Sequence, residues 1–350
     1  MKYTKVYVDA IGYELPPVVV TTAELEGRLG RVYEKLHIAP GQLEALTGIS
    51  ERRWWAEGYP LSEGATVAAK DALALAGMKA KDVEVLIYAG VCREQFEPAT
   101  ACKVAANVGV GPGAAVYDLS NACLGVLNGM VDIANRIELG QVRAGMVVSC
   151  ETAREINDIM IERLIATNDM ESFKSALATL TGGSGAVAML LTDGSFNGST
   201  RRRLMGGATQ SAPQFHELCR WGLEALKPLG LPQFAQVMAT DSVAVLKHGV
   251  DLGLRTWGAF QRRLGWMRET VDKVICHQVG TGHRDAILRA LGIDHSREFS
   301  TFPYLCNIGT VSLPLTAALA EERGFLKPGD RVGFLGIGSG LNCLMLGLEW

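Results

Sequence analysis

Val83-Glu-Val-Leu-Ile-Tyr-Ala-Gly-Val91 and Val271-Asp-Lys-Val-Ile-Cys-His-Gln-Val279 align along their length. Each is a short apolar run, the pattern of a strand buried on both faces. Further along each half comes a polar junction that opens a helical stretch. The junctions are Asn121-Ala-Cys-Leu-Gly125 and Cys306-Asn-Ile-Gly-Thr310. A Gly-Ser-Gly follows in both halves, at Gly183–Gly185 and Gly338–Gly340, and leads into the expected strands Ala186–Thr192 and Leu344–Glu349. Four landmarks in the same order indicate a duplicated βαβ unit. The chain therefore reads as an α/β protein with parallel strands, built from two similar halves. The halves are expected at 1–195 and 196–350, with the boundary in the polar stretch Asp193–Arg203. Residues 151–181 have helical spacing and no counterpart in the second half, so they read as an insertion. By the repeat, Asn307 lies near the structural counterpart of Cys123.

Other elements fit around these landmarks. Ser62–Met78 has helical spacing, with Ser62 as N-cap and Gly77 near the C-terminal end. Leu124–Ile137 reads as a helix. Ala144–Ser149 and Val332–Ile337 read as buried strands after turns at Gly140 and Gly329. Arg201–Arg203 reads as a solvated turn.

Composition excludes several classes. The 350 residues allow one or two domains with a large core. Charged residues make up 20%, below the usual level of about 25%. Such a chain is not disordered. Its 40 glycines have no period of three, so it is not collagen-like. A net charge of -3 gives no bulk attraction to nucleic acid. Mean hydropathy is +0.15, yet runs such as Val311–Ala320 are far shorter than the roughly 20 residues of a membrane span. The first residues show no signal peptide. The expectation is a cytoplasmic protein without a membrane span. The 8 cysteines form no C-x-x-C pair, which argues against a metal site.

Three residues could carry chemistry. Cys123 stands at the start of a helix, where the dipole and free N–H groups favour the thiolate. His277 ends a strand, and sites in α/β sheets form at the carboxyl ends of strands. His283, six residues on, does not complete a helical metal pair. Asn307 could cap a helix or donate its amide to an oxyanion. Gly336-Ile-Gly-Ser-Gly-Leu-Asn342 can turn backbone N–H groups toward a ligand, but it stands in the wrong place for a dinucleotide fingerprint.

These residues resemble the thiolase superfamily, in particular its ketoacyl synthase III branch. The shared features are Thr47-Gly-Ile-Ser-Glu-Arg52, Asn121-Ala-Cys123, Cys276-His277, Asn307-Ile-Gly309 and Gly338-Ser-Gly-Leu341. They span nearly the whole chain. The resemblance implies a duplicated αβαβα layered fold and an acyltransferase. Within the branch, three segments are most similar to enzymes that condense two fatty acyl-CoA molecules head to head. These are Arg93-Glu-Gln-Phe-Glu-Pro98, His216-Glu-Leu-Cys-Arg-Trp221 and the Gly-Ile-Gly-Ser-Gly-Leu-Asn342 ending. That similarity implies a homodimer in which Glu97 reaches the partner's site as general base, with Glu94 a lesser candidate. It also implies Cys123 as nucleophile, with His277 and Asn307 as enolate donors. The backbone N–H groups of Cys123 and Ser339 would form an oxyanion hole, and Gly309, Gly338 and Gly340 a substrate loop. No cofactor beyond acyl-CoA is implied. Initiation synthases of the branch usually carry a Trp and an Arg upstream of Thr-Gly-Ile. Gln42 and Leu46 stand there instead, which weakens that reading and leaves the CoA nucleotide contacts unassigned. Two alternatives are a decarboxylating 3-oxoacyl-ACP synthase III using malonyl-ACP and a non-catalytic acyl-binding member of the fold.

Overall fold

A computed structural model of the chain describes residues 1–196, 202–226 and 233–350. Its strands are β1 (Tyr7–Glu14), β2 (Val18–Thr21), β3 (Glu51–Trp54), β4 (Val85–Ala89), β5 (Ala115–Leu119), β6 (Ala144–Glu151) and β7 (Gly185–Thr192). They continue as β8 (Arg202–Ser211), β9 (Cys219–Leu226), β10 (Gln233–Thr240), β11 (Lys273–Cys276), β12 (Arg331–Gly338) and β13 (Asn342–Glu349). Nine of them form one sheet in the order β11-β12-β13-β8-β1-β7-β6-β4-β5.

The two opening runs thus become β4 and β11, each near an outer end of the sheet. The expectation of parallel strands holds only on these flanks, where β4 pairs with β5 and β6, and β11 with β12. The inner strands are antiparallel. The cause is visible at β12 and β13, which are joined by residues 339–341 alone. A parallel pair needs a crossover of a dozen or more residues.

Alternation along the strands builds the layers. Val85 and Ile87 of β4, with Phe334 of β12 and Leu346 of β13, share one core with helices Gly125–Glu138 and Ser312–Glu322. Leu86 and Tyr88 face the other way, onto the alanine-rich helix Leu61–Ala76. Val274 and Leu335 face helices Ser242–Leu264 and Thr281–Leu291. The result is the expected αβαβα arrangement, with the two halves enclosing a central pair of helices. The insertion forms helices Arg154–Thr167 and Met170–Ala176 and packs with β10 residue Met238 in a separate cluster. Among the described residues, no helix is long and apolar enough to cross a membrane.

Two local expectations change. Helix Leu61–Ala76 is preceded by Pro60 as N-cap, and Ser62 lies buried inside its first turn. The Ser62 N–H is satisfied instead by the Glu94 carboxylate at 2.8 Å. Arg202 is no solvated turn residue. It is buried in β8, ion-pairs with Glu321, donates to the Val8 and Asp9 carbonyls and lies over the Trp350 ring. A buried cation requires such partners. Arg201 and much of the expected boundary stretch, residues 197–201, lie outside the described residues.

Candidate active site

Strand β5 ends just before Cys123. The chain then makes a tight turn, Ala122–Leu124, before helix Gly125–Glu138 begins. Ala122 has φ +45°, in the left-handed region that a residue with a Cβ seldom adopts. The second half repeats the device. Gly309 has φ +55° and opens the turn Gly309–Val311, ahead of helix Ser312–Glu322. The counterpart of Cys123 is therefore Thr310, and Asn307 lies three residues before it. The Thr310 Oγ1 accepts the Val126 N–H at 2.7 Å, which ties the two turns together.

The C-terminal loop lies directly on the turn that carries Cys123. A Cβ at Gly338 would come within 3.4 Å of the Cys123 nitrogen and 3.3 Å of Leu124. A side chain at Gly338 would press on Leu124, so the glycine eases the close approach of the loop to this turn. Asn342 Nδ2 donates to Asn121 Oδ1 at 3.1 Å and faces the Ser339 carbonyl at 3.4 Å.

One cavity of about 900 Å³ collects these groups. Cys123, His277, Asn307 and Ser339 all line it, as do Gly309 and Gly338. Gly340 does not; its φ of +133° serves the turn of the loop. The rest of the wall is largely apolar. Ile156, Leu177 and Met238 come from the insertion and β10, while Leu246, Ile287 and Met345 come from the helices and strand of the second half. Leu46 also lines the cavity, whereas Gln42 stays on the exposed surface.

Burial governs the ionisation of the site. It pushes the Cys123 thiol up to about 12, with further repulsion from Cys219 and Glu151. The expected thiolate-favouring effect of the helix start is overridden, because Cys123 sits in the preceding turn and is desolvated. His277 is pushed down to about 4 by burial and by His283. Its backbone N–H donates to the Leu335 carbonyl, and Nδ1 has no partner. Thiol and imidazole are both neutral at pH 7. Asn307 Oδ1 accepts the Gly309 N–H at 3.0 Å. That bond fixes the amide with Nδ2 as its remaining donor.

Glu97 is exposed and does not line the cavity of its own chain. Glu94 is engaged elsewhere: it accepts from Ser62 and pairs with Lys103 at 3.1 Å, and these partners lower its carboxyl pKa against the opposing effect of burial. Glu151, at the end of β6, is the carboxylate in the wall of the cavity. Burial raises its carboxyl pKa. Its one signal in the sequence is that of a lone acid closing the apolar run Ala144–Cys150. Cys219, on β9, also lines the cavity, and in the sequence it stands out only as part of the His216–Trp221 segment. Among the described residues, no group of His, Cys, Asp or Glu side chains could hold a metal ion.

Across the full length of both chains, the sequence is 54% identical to the acyl-CoA:acyl-CoA alkyltransferase of Shewanella oneidensis. The chain belongs to that family. Its three-dimensional fold agrees. A variant of Xanthomonas campestris OleA solved with bound lauric acid and lauroyl-CoA has a TM-score of 0.91 at 34% identity, covering 99% of this chain and 100% of that one. Similarity beyond the alkyltransferases is lower. The β-ketoacyl-[acyl-carrier-protein] synthase III of Rhodospirillum rubrum is 26% identical over 94% of each chain. Residues 262–350 match the family described as 3-oxoacyl-[acyl-carrier-protein (ACP)] synthase III C terminal.

Proposed function

We propose that this chain is a cytoplasmic homodimeric enzyme that joins two fatty acyl-CoA molecules by non-decarboxylative Claisen condensation. The observation that carries the reading is the meeting of Cys123, His277 and Asn307 on one large apolar cavity. Its walls come from two separate core clusters, which suits two acyl chains. The expected halves, 1–195 and 196–350, then contribute the nucleophile on one side and His277, Asn307 and Ser339 on the other.

In the first step, the Cys123 sulfur attacks the thioester carbonyl of one acyl-CoA. The S–H proton passes to neutral His277 and on to the departing CoA sulfur, and a Cys123 thioester remains. The Cys123 and Ser339 N–H groups hold the oxyanion, and the Gly309 and Gly338 backbone gives the thioester room. In the second step, Glu97 of the partner subunit takes an α-proton from a second acyl-CoA. Donors on His277 and Asn307 hold the enolate oxygen. The enolate carbon then attacks the Cys123 thioester, the thiolate leaves and is reprotonated, and a 2-alkyl-3-ketoacyl-CoA forms. No cofactor is required. The exposed position of Glu97, next to a Phe96 that is 93% exposed, suits a dimer face that covers Phe96 and delivers Glu97.

Two variants test the assignment. Cys123→Ala should form no acyl-enzyme from myristoyl-CoA, and robust condensation by it would overturn the nucleophile. Glu97→Ala should still release one CoA per site while condensation is lost. Loss of acylation as well would overturn its role as base.

A further inference from the structure

The loop that carries Glu97 is free only at its tip. At its far end, the Asp118 carboxylate accepts the Thr100 and Ala101 N–H groups at 3.0 and 2.9 Å. Midway, Glu94 is held by Ser62 and Lys103. At its root, both oxygens of Glu151 are used. They accept the Val91 and Cys92 N–H groups, each at 3.0 Å. Tyr88 OH lies within hydrogen-bond distance of the Cys92 and Cys150 carbonyls, at 2.9 and 2.8 Å, and the Cys92 thiol donates to the Thr152 carbonyl. The Glu151 carboxylate is wedged between two backbone turns. A Cβ would come within 3.2 Å of it at Gly90 and 3.4 Å at Gly309. Residues 95–98 are left exposed between these clamps.

We propose that Glu151 is the positioning residue for Glu97: it locks the loop root at Val91 and Cys92 so that the tip is presented in one place. The inference rests on the reading of Glu97 as the base. Glu151 is not the base itself. Each of its oxygens accepts a backbone N–H of the loop root, so the carboxylate is tied to Val91 and Cys92 rather than free to swing toward an α-carbon. A buried N–H left without its acceptor would loosen the root, and a displacement of about 1 Å at a reacting group costs about 10²-fold in rate.

The test is Glu151→Gln, assayed with myristoyl-CoA for each step separately. A carboxamide accepts one of the two N–H groups and turns an NH₂ toward the other. The expected result is condensation lower by about 10²-fold, a much smaller loss in the CoA burst, and a melting transition lowered by the N–H that loses its acceptor. Equal losses in burst and condensation, or unchanged condensation, overturn the proposal. Should the variant not fold, hydrogen exchange on the wild-type enzyme decides. The Val91 and Cys92 amides should exchange far more slowly than those of Phe96 and Glu97, and equal rates overturn the proposal. A wild type that forms the acyl-enzyme but never condenses two chains overturns the reading of Glu97 and this inference together. A condensing wild type with an equally active Glu151→Gln overturns Glu151 alone.

Discussion

Asn342 Nδ2 donates to Asn121 Oδ1 at 3.1 Å, joining the last strand of the chain to the turn that carries Cys123. Asn121 in turn donates to Asn128 at 2.7 Å, on the helix that follows. The chain Asn342, Asn121, Asn128 therefore ties the loop of Ser339 to the turn of Cys123, two segments far apart in the sequence.

Replacing Asn342 with Ala should therefore slow acylation of Cys123 more than it weakens binding. Misplacing one oxyanion donor costs on the order of 10²-fold. Single-turnover CoA release across a range of acyl-CoA concentrations separates the rate from the affinity. A rise in KM with an unchanged rate would count against this role.

Burial gives the Cys123 thiol a definite pH dependence. Iodoacetamide reacts with the thiolate, and burial holds Cys123 up to about 12. Alkylation should be slow at pH 7 and rise about tenfold per pH unit through pH 9 and beyond. A plateau near pH 7, followed by mass spectrometry of the Cys123 peptide, would show a stabilised thiolate instead. The same shift bears on stability. An unfolded thiol ionises near 9.0 while the folded Cys123 does not until about 12. Its contribution to folding is complete below pH 9 and is lost as pH rises through that window.

Much of this site is legible in the sequence. Two like runs, two like junctions and two Gly-Ser-Gly segments are enough for the duplicated layers, because each landmark is a local backbone demand. Cys123, His277 and Asn307 stand on those landmarks. Burial is the missing quantity. It reverses the ionisation of Cys123, and no residue near Cys123 in sequence announces it. Arg202 is misjudged for the same reason, since its partners Glu321 and Trp350 come from the far end of the chain. Ser62 is misjudged because the partner of its N–H, Glu94, is supplied by a loop 32 residues away. The Glu151 carboxylate finds its partners across β4 and β6, a relation that only sheet order reveals.

Chain length should respond to helix Ser242–Leu264. Gly249 and Gly253 both line the cavity, and a Cβ at Gly253 would meet the Ile287 Cδ1 at 2.8 Å. Gly253→Val should narrow the passage and lower kcat/KM for hexadecanoyl-CoA by about tenfold more than for decanoyl-CoA, the size of effect that one or two displaced methylenes produce. Competition between the two substrates in one reaction reads the ratio directly, and an unchanged ratio would remove Gly253 from the acyl path.

The proposed reaction joins two unactivated acyl thioesters. The most direct measurement is incubation with myristoyl-CoA alone, without any malonyl donor, followed by mass spectrometry of the products and of the Cys123 peptide. The expected result is a myristoylated Cys123, free CoA, and a 2-alkyl-3-keto product carrying both chains. An acylated Cys123 with no two-chain product, and condensation with release of CO₂ only after malonyl groups are supplied, would contradict it.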